Sequence, residues 1–220
     1  MADPQSDSLL REIDEDIRRE RYALLWKRYG GYVIAGLVVM VLAVVGYEVW
    51  RERTASQRAD AAERFSGALA LVDHDPGSAA TVFESLATDG PGGYRIVARL
   101  QEGAVLAQQG DRDAAVAAYN RLAADTRDAV YRDLAILLAV LTELQSPAAD
   151  IDALRQRLLP LTTSERPWRY SAREVAAHLH LQAGERDQAR TDFAALAGDL
   201  QAPPGTRARA ESMLAEIDAG

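Results

Sequence analysis

The sequence predicts an all-α chain in which one N-terminal membrane-spanning helix precedes an α-solenoid of helix pairs. Three observations predict it. Residues 30–49 form an apolar run of twenty with a single charge, Glu48, near its far end. Beyond residue 55 the chain reads as helices broken by Gly, Pro, Asp and Ser, without the sustained alternation that marks strands. Several residue types then recur at intervals of 36 and 74 residues.

The apolar run lies within WKRYGGYVIAGLVVMVLAVVGYEVWRER, residues 26–53. Twenty helical residues extend about 30 Å, the hydrocarbon thickness of a bilayer. Val, Leu, Ile and Ala lie all round such a helix, leaving no polar stripe for water. Trp26, Tyr29, Tyr32, Tyr47 and Trp50 gather towards its ends, where amphipathic rings favour the headgroup level. A cleaved export signal fits less well, because the segment before the run is long and rich in acids where a signal has a short basic region. The chain therefore divides into a tail at 1–29, a spanning helix at 30–50 and a domain at 51–220.

Arg11, Arg18, Arg19, Arg21, Lys27 and Arg28 precede the run, whereas Arg51, Arg53, Arg58 and Arg64 follow it closely. Lys and Arg near a span collect on the cytoplasmic side, so the tail is expected inside and the domain outside the cytoplasm. The tail over 7–29 reads as a helix capped by Asp7 or Ser8, with Leu10, Ile13 and Ile17 at helical spacing. Its acids come first and its bases later, which suits the helix dipole. Such a segment serves either as a solvated lead-in or as a docking helix for a partner.

Composition excludes several function classes. Net charge is −8, and residues 51–220 carry 19 basic against 25 acidic side chains, so wholesale nucleic-acid binding is not expected. The absence of cysteine removes disulfides, thiolate catalysis and cysteine-based metal sites. Arginine outnumbers lysine 24 to 1 and alanine is abundant, a bias associated with GC-rich bacterial genomes.

In the domain, Asp75-Pro76 and Ser146-Pro147 each place a capping side chain before a proline suited to the first helical position. Gly110-Asp111 and Gly184-Glu185 mark tight turns between helices. Gly67 and Gly103 stand 36 apart, as do Ala79 and Ala115, and Phe83 and Tyr119. Gly110, Ala115, Tyr119 and Leu122 recur 74 residues later as Gly184, Ala189, Phe193 and Leu196. The larger interval leaves room for a degenerate pair, helices over 128–145 and 147–161, with Leu134, Leu138 and Leu141 facing Leu154 and Leu158. A last helix over 204–217 carries Met213, Leu214 and Ile217 and is expected to cap the open end.

The phrase GAVLAQQGDRDAAVAAYNRL, from Gly103, resembles a tetratricopeptide repeat. In that pattern Gly103 lets paired helices approach, Gly110 makes the turn, Ala115 keeps the second helix close and Tyr119 fills the gap. LQAGERDQARTDFAAL repeats the later half through Gly184, Ala189 and Phe193. Arg99 and Glu102 depart from the pattern, which favours a large aromatic and a leucine there. The domain thus resembles a diverged tetratricopeptide-like α-solenoid, in which stacked pairs bury one continuous core.

Function in such arrays lies on the surface made by the first helix of each pair. The resemblance places Arg64, Ala68 and Leu71 there, then Leu100, Ala104 and Ala107, then Glu174, His178 and Leu181. This set is small and apolar with few charges, suited to a partner's helix or extended apolar segment. The protein's own final helix is an alternative occupant. No catalytic, cofactor or metal site is expected: His178 and His180 point to different helix faces, and no nucleophile, zinc or phosphate-loop motif occurs. No small-molecule substrate is implied.

Tail, single span ending in WRER and diverged helix pairs together resemble the bacterial ancillary SecYEG translocon subunit family. That resemblance implies an inner-membrane protein whose domain faces the periplasm. It implies protein partners, the translocon and a membrane-bound periplasmic chaperone. A periplasmic regulator of cell-wall synthesis or division and a cytoplasm-facing tethered adaptor remain open alternatives.

Overall fold

The computed structural model describes the backbone of residues 4–163 and 165–219, and side chains from Trp26 onward except Val33, Ser164 and Gly220. Every element among the described residues is helical. Two compact units are present, Met1–Gln57 and Arg58–Gly220. Helix α1 (Pro4–Leu71) runs through both. It starts earlier than expected, so Asp7 and Ser8 lie within the helix instead of capping it. Proline at the first turn explains the shift, since its fixed φ is already helical. The side chains of Leu10, Ile13 and Ile17 lie outside the described residues.

Across the apolar run of α1 the side chains are bare, with Val39 and Leu42 each 65% exposed. A soluble core helix of this composition would bury them. The helix is long and apolar enough to cross a membrane.

The second unit is built from consecutive helix pairs. The end of α1 packs on α2 (Pro76–Asp89), followed by α3 (Gly93–Gln108) with α4 (Arg112–Asp125). Next come α5 (Ala129–Glu143) with the short α6 (Ile151–Leu158), then α7 (Arg169–Gln182) with α8 (Arg186–Gly198), and finally α9 (Pro204–Ala219). Caps follow the sequence where an acid precedes the turn. Asp75 accepts from the Ser78 amide at 3.1 Å, ahead of Pro76, and Asp111 accepts from the Ala114 amide at 3.1 Å. Gly110 (φ +83°) and Gly184 (φ +78°) take the left-handed conformation that closes the α3–α4 and α7–α8 turns.

The recurring positions are the ones that pack. Ala79, Ala115 and Ala189 are each fully buried, Phe83 and Phe193 likewise, and Tyr119 is 4% exposed. Gly103 meets Tyr119: a Cβ there would stand 2.5 Å from Tyr119 Cε1 and 2.6 Å from Cζ. Gly67, spaced 36 residues before it, does not share this role. No atom approaches its Cβ position, and Ala68, 1% exposed, is the small residue buried in that helix. Gly67 instead borders an open groove.

Gly103→Ala is expected to lower stability by about 1–3 kcal/mol by overpacking against a buried ring. Calorimetry on the variant checks this, and an unchanged Tm would remove Gly103 from the α3–α4 contact.

The middle pair departs furthest from expectation. Ser146-Pro147 lies in a turn, and α6 begins at Ile151, capped by Asp150, which accepts from the Ala153 amide at 3.0 Å. Leu137 and Val140, rather than Leu134, Leu138 and Leu141, meet Leu154 and Leu158 in the core. Since α5 is apolar around most of its circumference, leucine spacing alone did not select the buried face. Polar ties hold the short α6: Arg157 donates to Glu143 at 2.5 Å and to Asn120 at 2.8 Å. On the connector after it, Arg166 pairs with the fully buried Asp133, and Trp168 Nε1 donates to the Val130 carbonyl at 2.9 Å. At the far end Met213, Leu214 and Ile217 of α9 close the core formed with α7 and α8.

Candidate functional site

The nine residues expected on the first-helix surface fall into three environments. Arg64, Ala68 and Leu71 border one groove of about 610 Å³ together with Thr81, Val82 and Ser85 of α2. Arg64 Nη2 donates to Ser85 Oγ at 2.8 Å, which pins the guanidinium across one side. Ala68 is the buried floor, and Leu71 packs against the first core cluster. Phe65, next to Arg64 in sequence, packs against that cluster, its ring edge-on to Phe83 at 5.4 Å and to Tyr94 at 6.0 Å.

Leu100, Ala104 and Ala107 are half-buried along α3. Glu174, His178 and Leu181 sit against neighbouring helices of the same unit. Glu174 accepts from Arg209 of α9 through both oxygens, at 2.5 and 2.7 Å. The His178 ring stands edge-on to Phe193 at 5.1 Å, and Leu181 joins the cluster that α9 completes. The structure thus brings the first three residues together around open space, while α9 engages Glu174 and Leu181.

A second polar centre was not singled out by sequence reasoning. His180 Nδ1 lies 2.5 Å from Glu185 Oε2, which also accepts from Arg155 at 2.6 Å, and His180 Nε2 lies 3.5 Å from Asp192. The hydrogen bonds from His180 and Arg155 hold the Glu185 carboxyl below its ordinary pKa. This arrangement joins α6, α7 and the start of α8. Among the described residues no cluster of His, Cys, Asp or Glu suits a metal ion.

The two departures from the repeat pattern form a buried ion pair. Arg99 Nη1 donates to Glu102 Oε2 at 2.8 Å, with the residues 8% and 3% exposed. Burial pushes the Glu102 carboxyl above its ordinary pKa, and the Arg99 charge pulls in the opposite direction. The signal for it was present in the sequence, as two charged residues at positions where packing favours apolar ones.

The family described as "Tetratricopeptide repeat-like domain" matches the chain over residues 24–211. That span takes in the apolar run of α1 as well as the helix pairs. No curated protein and no solved structure matches the chain. Paired helices, buried Ala and aromatic positions at a fixed interval, and a family match across most of its length make this chain a member of the tetratricopeptide repeat-like domain family.

Proposed function

We propose that the protein is a membrane-anchored scaffold that binds other proteins through its helix pairs. Tetratricopeptide-like repeats are protein-interaction modules, and the observation that carries the anchored form is a family match enclosing both the bare apolar helix and the array. The anchor raises the local concentration of the binding surface at the membrane, so that weak contacts suffice. On this reading residues 30–50 span the bacterial inner membrane, residues 1–29 face the cytoplasm and residues 51–220 the periplasm. The partners are the Sec translocon and a membrane-bound chaperone that receives emerging chains. The groove bordered by Arg64, Ala68 and Leu71 is the first contact point for a partner segment.

Photo-crosslinkers placed at Arg64 and Leu100 in intact membranes, followed by mass spectrometry, test the partners. Adducts with translocon or chaperone subunits are expected. Adducts dominated by cell-wall synthesis or division proteins would replace this reading with that of an envelope regulator. A C-terminal alkaline phosphatase fusion tests orientation, because that enzyme matures only outside the cytoplasm. Full activity is expected, and a well-expressed inactive fusion would place the domain inside.

A further inference from the structure

Helix α9 lies across the third part of the expected partner surface. Its Arg209 engages both oxygens of Glu174, and Leu181 belongs to the cluster that α9 completes. The Glu174 side chain is only 12% exposed, and Arg209 is its one partner among the described residues. Two more ties come from α8. Arg190 pairs with Asp218 at 2.7 Å, and Arg186 Nη2 donates to the Ile217 carbonyl at 3.0 Å.

For a helix so tied, α9 fits poorly. Only Thr206 and Ala210 of its sixteen residues are buried, against five of fourteen in α7. Met213, Leu214 and Ile217 are half-buried. Arg207 Nε is buried without a hydrogen-bond partner among the described residues, and an unsatisfied donor weakens the state that buries it. Arg209, Arg190 and Asp218 are each more than half exposed, and ion pairs made by such side chains add little stability. Capping the array explains the apolar contact. It does not explain a nearly buried carboxylate set to meet a guanidinium from outside its own helix pair.

We propose, on the scaffold reading, that the α7–α8 face beneath α9 is a docking site for an arginine-bearing helix of a partner protein, and that α9 is its resident stand-in. The incoming helix is defined by α9 itself. It brings an arginine for Glu174, apolar residues four, five and eight positions further on, as at Met213, Leu214 and Ile217, and then an acid for Arg190. It displaces α9 by carrying a small residue where α9 has Arg207. A second copy's α9 does not suffice, since it offers identical contacts against a tethered helix whose effective concentration is about millimolar.

The test uses the full chain in detergent micelles and a fluorescein-labelled peptide of residues 204–219 carrying Arg207→Ala, followed by anisotropy. Weak saturable binding to wild type is expected, because the tethered α9 competes. Arg209→Glu in the chain sets a second carboxylate against Glu174 and loosens only the resident helix. Peptide affinity should then rise by about tenfold or more. Glu174→Arg in the chain should reverse the preference: the same peptide loses affinity, and one that also carries Arg209→Glu gains it. Equal affinity in wild type and the Arg209→Glu chain would overturn the proposal, as would binding that ignores the charge reversal. Dimers of the Arg209→Glu chain in place of peptide uptake would assign the face to a second copy and overturn it too. Loss of helical circular dichroism in both chain variants would make α9 a structural cap, with the same consequence. The assay contains no translocon or chaperone subunit, so its failure is separate from a failure of the crosslinking in membranes.

Discussion

Replacing Val38 and Leu42 together with arginine is expected to release the chain from lipid. Both lie near the middle of the apolar run and are more than half exposed on α1. A charged residue at the centre of a spanning helix costs about 2.5–3.5 kcal/mol on the insertion scale, so two cost about 5–7 kcal/mol. The residues are four apart, so both arginines share one helix face and repel. Neither reaches the headgroup region easily, since snorkelling works best near helix ends. Flotation with lipid vesicles on a density gradient reads the outcome. Wild-type chain should float with the vesicles and the variant should stay at the bottom. A variant that floats as well as wild type would mean that another part of the chain holds the lipid.

The second large effect is in the array. Phe193→Ala removes a fully buried ring that packs on His178 and within the cluster joining α7, α8 and α9. Truncating a core phenylalanine costs about 3–5 kcal/mol. For a domain of this size Tm moves by about 2–4 °C per kcal/mol. The loss should be local, because each helix pair in a repeat array contacts only its neighbours. Hydrogen exchange should therefore quicken most in α7, α8 and α9, and least in α2 and α3. Uniform quickening across all pairs would show that the array unfolds as one body. No quickening would show that Phe193 does not carry the contact.

What the sequence revealed of the fold was carried by residues with one role. Alanines and aromatics at fixed spacing have only packing to do, and Ala79, Ala115, Ala189, Phe83, Tyr119 and Phe193 are all buried in the helix positions their spacing implied. Glycine before an acid at a helix start had one meaning too, and Gly110 and Gly184 take the turn conformation. Where a residue type has several roles, the spacing failed. Ser146-Pro147 reads as a helix start but forms a turn, since Asp150 caps α6 more effectively four residues later. Ala, Val and Ile beside the leucine face of α5 concealed which side met α6, and tertiary packing chose Leu137 and Val140.

Of the candidate site, Arg64, Ala68 and Leu71 share one groove because a single helix face presents residues three and four apart together. The centre formed by Arg155, His180 and Glu185 was hidden for the opposite reason: its side chains come from α6, α7 and the start of α8, and only the stacking of those helices brings them together. Charge at Arg99 and Glu102 was the linear trace of their buried pair.

Alkaline extraction of membranes from cells making the untruncated chain tests the central claim most directly, with intact mass measured on the recovered protein. The account predicts that the chain pellets with the membranes and retains its first fifty residues. Recovery of the same intact chain in the supernatant would contradict it, because a helix as apolar as residues 30–49 would then be buried in protein instead of lipid.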